Sequence, residues 1–131
     1  MKFLDKIFQY NPKDKTDVIG IAINIARDFS KFPGGRYSEF EEGKDCSAER
    51  FKREFLYPAF KNYDKVTVIL DKTMGFGSPW LQAAFENLWV TGYDLDQLKD
   101  RLTIISDDDS SLILEIWQYI ESNYNALNKF K

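Results

Sequence analysis

The chain has 131 residues, of which 44% are apolar and 30% charged, with a net charge of -3; this is the balance of one soluble globular domain. The acidic balance argues against a sequence-independent hold on nucleic acid or on an anionic membrane, both of which need concentrated Lys and Arg, and leaves room only for a local basic patch. With no histidine and one cysteine, Cys46, a Ser-His-Asp or Cys-His centre, a zinc site of His or several Cys, and an intrachain disulfide are excluded as well. Residues Met1 to Tyr10 carry Asp5 among Phe3, Leu4, Ile7 and Phe8, which breaks the apolar run of a secretory signal. No stretch reaches the roughly 20 apolar residues of a membrane helix, so the expected location is cytoplasmic.

Between Asp17 and Ala26, Val18, Ile19, Ile21, Ile23 and Ile25 alternate with small or polar residues, the period of a strand. The turn Phe32-Pro33-Gly34-Gly35-Arg36 then leads into a short second strand over Arg36 to Phe40, which would close a hairpin. After a polar loop, Ser47 caps a helix carrying Phe51 and Phe55, which Pro58 is expected to end or bend. Val66 to Leu70 is a continuous β-branched and apolar run, the pattern of a strand buried on both faces.

Lys72-Thr73-Met74-Gly75-Phe76-Gly77 follows as a glycine loop. Ser78 then supplies an N-cap, Pro79 the first helical position, and Leu81, Phe85, Leu88 and Trp89 one apolar stripe that Gly92 ends. Trp80, Trp89 and Trp117 are expected in the core. Asp94 caps a short helical turn through Leu98, and Leu102 to Ile105 reads as a further buried strand. After Ser106-Asp107-Asp108-Asp109, the spacing of Leu112, Ile113, Ile116, Trp117, Ile120, Tyr124 and Leu127 predicts a final helix. The succession implies an α/β fold, with a mixed sheet of about four strands, right-handed crossovers and covering helices.

Ile25-Ala26-Arg27-Asp28-Phe29-Ser30 with Phe32-Pro33-Gly34-Gly35-Arg36, then Asp71 with Gly75-Phe76-Gly77-Ser78, then Arg101-Leu102 running to Ser106-Asp107-Asp108, together resemble the STAS-like domain family of bacteria. The resemblance extends over about Val18 to Tyr119. It implies one STAS-like domain over 1–131, with 1–16 as an N-terminal extension and 17–128 as the core. That family is similar to the STAS domains of anti-sigma factor antagonists, in which a serine opening a helix after a buried strand is phosphorylated by a partner ATPase. Ser78 stands at the matching place, with Pro79 where the family pattern has a second serine. The resemblance thus implies a non-catalytic, protein-binding regulatory module, a histidine-kinase-like ATPase partner, and a regulatory or phage-defence setting.

The candidate phosphoacceptor is therefore Ser78, and the candidate partner-binding residues are Arg36, Gly75, Phe76, Gly77 and Trp80. The glycine loop at a helix start can bind an anion, or serve only as a sharp turn with a capping serine. Arg36 can grip a partner's carboxylate or phosphate, or pair within its own hairpin with Asp28 or Glu39. Asp71, Asp107 and Asp108 are expected at one sheet edge, where carboxylates could hold Mg²⁺ for a phosphate-handling enzyme or merely cap the last helix. A third reading is a phage or mobile-element inhibitor of a host protein. No cofactor, membrane contact or direct nucleic-acid partner is expected; the oligomeric state has no signature in the sequence.

Overall fold

The computed structural model describes residues 19–35 and 46–128. Strands β1 (Gly20–Asn24), β2 (Lys65–Ile69) and β3 (Leu102–Ile105) form a sheet in the order β1-β2-β3, with both pairings parallel. The sheet is parallel throughout its described part. The strand expected over Arg36 to Phe40, which would have made it mixed and four-stranded, lies outside the described residues. Five α-helices occur among those residues: α1 (Ala48–Phe51), α2 (Tyr57–Asn62), α3 (Ser78–Phe85), α4 (Leu95–Arg101) and α5 (Ser111–Asn128).

The register explains the core. Ile21, Val66 and Leu102 stand in one row and Ile23, Val68 and Ile104 in the next, and all six are buried. Helices bring Phe51, Leu56, Ala59 and Phe60, then Leu81, Ala84 and Phe85, then Leu98, Ile116 and Ile120 to the same cluster. The alternate row, Ala22, Thr67 and Thr103, runs from half-buried to exposed. β2 is therefore buried on one face rather than two, because its apolar run is interrupted at the outward position by Thr67.

Three further expectations are corrected. The first strand stops at Asn24, and Ile25–Phe29 wind into a π-helical turn closed by the Ser30 N–H donating to Ile25 O at 2.8 Å. Asn24 causes this break: its Oδ1 accepts the Arg27 N–H, while its own N–H donates to Asp28 Oδ2, so side chains satisfy backbone groups that a longer strand would have paired. Of the two outcomes expected at Pro58, an end or a bend, the helix does not end. The segment Lys52–Leu56 widens into a π-helical turn, with the Tyr57 N–H reaching back to Lys52 O, and the chain passes through Pro58 into α2; an insertion of this kind accommodates a residue with no N–H to donate. The third correction concerns the stripe after Pro79, which is not one helix. α3 ends at Phe85, Asn87 turns left-handed at φ 58°, and Leu88–Thr91 form a 3₁₀ turn closed by Gly92 at φ 88°. Leu88 is buried, but Trp89 is thrown outward, and Trp117 is half-buried rather than central.

Other local signals hold. The Ser47 Oγ accepts the Arg50 N–H and caps α1. Asp94 and Gln97 exchange side-chain-to-backbone bonds in a capping box at α4. No helix among the described residues is long and apolar enough to cross a membrane.

Candidate functional site

Because all three strands are parallel, the segments that follow them emerge along one edge, the place where open α/β sheets bind their ligands. They are the π turn and the Ser30–Gly35 turn after β1, the glycine loop after β2, and the Ser106–Ser110 segment after β3. The structure joins them in pairs. The Met74 N–H donates to Lys31 O at 2.7 Å, fixing the glycine loop to the turn after β1. On the other side, Asp71 Oδ1 accepts the Asp108 N–H at 2.7 Å and Asp108 Oδ2 accepts the Lys72 N–H at 3.0 Å. This reciprocal staple holds Lys72 left-handed, at φ 70°, a conformation disfavoured for a side chain with a Cβ.

The expectation that Asp71 and the aspartates after β3 share an edge is met for Asp71 and Asp108. Their carboxylates are occupied by backbone N–H groups, and Asp109 Oδ1 accepts both the N–H and the hydroxyl of Ser111 at the start of α5. Asp107 is exposed. Among the described residues no group of three or more His, Cys, Asp or Glu side chains could hold a metal ion.

Gly75 has φ 118°, and a Cβ there would meet nothing within 4 Å. Its glycine is thus required by backbone conformation rather than by space. Gly77 has φ -78° and ψ 145°, an extended conformation open to any residue, and it is the N-cap of α3. This corrects the role expected of Ser78. The N–H groups of Trp80 and Leu81 both bond to Gly77 O at 3.1 Å, so Ser78 is already helical and its side chain does not cap. The exposed Ser78 hydroxyl donates instead to Glu115 Oε2 on α5 at 2.9 Å, and the same oxygen accepts the Tyr119 hydroxyl at 2.6 Å. Pro79 has no N–H to offer, which removes one donor from this helix start.

Trp80 is 2% exposed, and so sits beneath the surface formed by the loop. Its ring packs at 5.4 Å from Phe51, 5.4 Å from Phe76 and 6.2 Å from Phe29. Its Nε1–H donates to Cys46 O at 2.9 Å, which also accepts the Gly34 N–H at 3.0 Å. One indole therefore anchors the π turn, the Phe32–Gly35 turn and the glycine loop at once. Two apolar side chains of the joined segments are exposed, Phe32 at 67% and Met74 at 74%. Neither Met74 nor Glu115 is singled out by the sequence reading. An apolar residue inside a glycine loop was the available signal for Met74, whereas Glu115 lies 37 residues from Ser78 and has no local signature.

Arg36 and Glu39 lie outside the described residues. Asp28, one of the two partners expected for Arg36, is engaged by Arg27, whose Nε and Nη2 donate to its two oxygens at 2.8 and 3.0 Å. That pairing raises the Arg27 guanidinium further above its ordinary value, first through the hydrogen bond and then through the charge.

The family model described as a STAS-like domain of unknown function (DUF4325) matches residues 47–112. The matched stretch begins at the cap of α1, includes β2, the glycine loop and β3, and ends at the first residues of α5; β1 and the Phe32 turn precede it. No curated protein and no solved structure matches the chain. Since the match takes in half of the sequence, and with it the segments on both sides of the Asp71–Asp108 staple, the chain belongs to the STAS-like domain family.

Proposed function

We propose that this protein is a non-catalytic interaction module that binds a partner protein along the edge where its strands end. The reading takes the whole chain, 1–131, as one such domain acting in the cytoplasm. STAS-like domains in general serve as interaction modules rather than enzymes. The observation that carries the reading is the Met74-to-Lys31 bond, which ties the turn bearing exposed Phe32 to the loop bearing exposed Met74, while the buried Trp80 holds the same two segments through Cys46 O and Phe76. Rigidly backed apolar side chains at a surface supply binding energy without a large ordering cost on association. The contact surface comprises Gly75 to Ser78, the first turn of α3 and the turn from Phe32 towards Arg36, with Trp80 as its support from below.

Phosphorylation of Ser78 by a histidine-kinase-like ATPase would switch this surface. A phosphate brings roughly 1.5 to 2 negative charges against Glu115, in place of a donated hydrogen bond. The exposure of Ser78 and its reach to α5 support this assignment. A pull-down from the source cell with wild-type protein and with Gly77→Glu tests the surface. Gly77 tolerates a side chain conformationally, so loss of one captured protein from a folded variant is expected, and unchanged capture would refute the surface. For the switch, incubation with the captured ATPase and intact-mass measurement should show one added phosphate that disappears in Ser78→Ala; a phosphate retained in that variant excludes Ser78.

A further inference from the structure

A second apolar surface lies away from that edge, towards the end of the sheet where the strands begin. α2 ends three residues before β2, and beside it the 3₁₀ turn Leu88–Thr91 brings up Val90. Between them is an open cavity of about 270 Å³ lined by Tyr57, Phe60, Lys61, Val90 and Thr91. The neighbouring Trp89 and Val90 are 40% and 58% exposed, the consequence of the left-handed turn at Asn87 that tips them out of the core.

We propose that this groove receives one aromatic side chain of a partner protein segment, whose adjacent carboxylate pairs with Lys61. Four observations lead there. The volume is below the roughly 300–1,000 Å³ of pockets that enclose a whole small molecule, and suits a single side chain. The walls are two aromatic rings and an aliphatic group, surfaces that pack an incoming ring edge-to-face or offset. The Thr91 hydroxyl in the lining is already satisfied, donating to Leu88 O at 2.6 Å, so it makes no demand on the occupant. The cations differ in availability. Lys52 lies over the Tyr57 ring at 6.0 Å and is in the field of Glu86 and Glu49, whereas exposed Lys61 has no ion pair among the described residues. An exposed cation with no ion pair among the described residues, beside an apolar slot, selects an anionic, aromatic segment. It also disfavours a second copy of this chain, since a two-fold axis through the groove would bring the two Lys61 side chains together. The helical register supports a built feature, because the π-helical turn Lys52–Leu56 immediately precedes Tyr57, and such insertions occur often at functional sites.

N-acetyltryptophan carries both an aromatic ring and a carboxylate, and N-acetyltryptophanamide lacks only the charge. Titrated into ¹⁵N-labelled full-length protein, the acid is expected to move the amide resonances of Phe60, Lys61, Val90 and Thr91 in saturable fashion at millimolar concentration. The amide should bind roughly two- to fivefold more weakly, the effect of one exposed ion pair. Lys61→Gln should bring the acid down to the affinity of the amide and leave the amide unchanged, while Val90→Asp should weaken both. No groove shifts with either compound would overturn the proposal, as would equal binding of acid and amide to the wild type. Groove resonances that move with protein concentration alone would assign the site to a second copy and overturn it too. This groove is independent of the Ser78 edge, so the test succeeds or fails irrespective of the partner-binding reading above.

Discussion

Truncating Trp80 tests whether one buried ring really anchors the three segments at the strand ends. The side chain is 2% exposed, and an aromatic ring of this kind buries about 150–250 Å², which at about 25 cal/mol per Å² corresponds to ~4–6 kcal/mol as an upper bound. Measured Trp or Phe truncations in cores cost about 3–5 kcal/mol, a large part of the ~5–15 kcal/mol that holds a domain folded. Trp80→Ala should therefore lower the urea midpoint by about 2 M, taking an m-value near 1.5–2 kcal/mol/M. Trp80→Phe keeps most of the ring contacts but loses the bond to Cys46 O. That carbonyl retains the Gly34 N–H, so it is not orphaned, and the loss should stay near 1 kcal/mol plus a small packing term. Far-UV circular dichroism is the proper probe, since removing one of three tryptophans alters fluorescence by itself. If Trp80→Ala shifted stability by less than about 1 kcal/mol, the anchoring argument, and with it the rigid backing of Phe32 and Met74, would be wrong.

Lys72→Gly should leave stability unchanged or raise it by up to ~1 kcal/mol, because φ 70° strains a residue with a Cβ while glycine adopts it freely; denaturant midpoints decide. Asp71→Ala and Asp108→Ala should each destabilise by about 1 kcal/mol and, combined, by less than the sum, since each carboxylate braces the other's loop. A strictly additive cycle would deny the staple. Tyr124 is held by burial, with a lesser contribution from Asp94, so that its pKa is pushed up to about 12. Its hydroxyl donates to Tyr93 O at 2.8 Å. A raised folded-state value means that its contribution is fully present below pH ~10, the unfolded value, and is lost as pH rises through about 12. Tyrosinate absorbance of the wild type minus Tyr124→Phe should accordingly show the late-titrating group, and a difference centred near pH 10 would refute its burial.

Much of the site was legible where the signal is local. Ser47 and Asp94 cap as their side-chain chemistry requires, and the apolar rows of β2 and β3 declare their strands. The meeting of Asp71 with Asp108 followed from expecting two parallel neighbours, because parallel strands deliver their ends to the same edge. Where the reading failed, a competing local bond had intervened. The Asn24 side chain accepts the Arg27 N–H and the Asp28 carboxylate accepts the Asn24 N–H, which ends β1 early, and a π turn carries the helix through Pro58. Gly77, being extended, takes the cap that Ser78 was expected to provide.

What the residues alone determined was the class of protein: an acidic chain without histidine, with β-branched runs separated by capped helices, whose glycine loop follows a buried strand. Periodicity and capping act over a few residues, so they survive in a linear reading. The partners of those residues across the fold were decided only by tertiary structure, because contacts such as Ser78 with Glu115, Trp80 with the carbonyl of Cys46, and Met74 with Lys31 join segments tens of residues apart. Their existence depends on how strands and helices pack, and it is this packing that turns Met74 and Val90 outward and Trp80 inward.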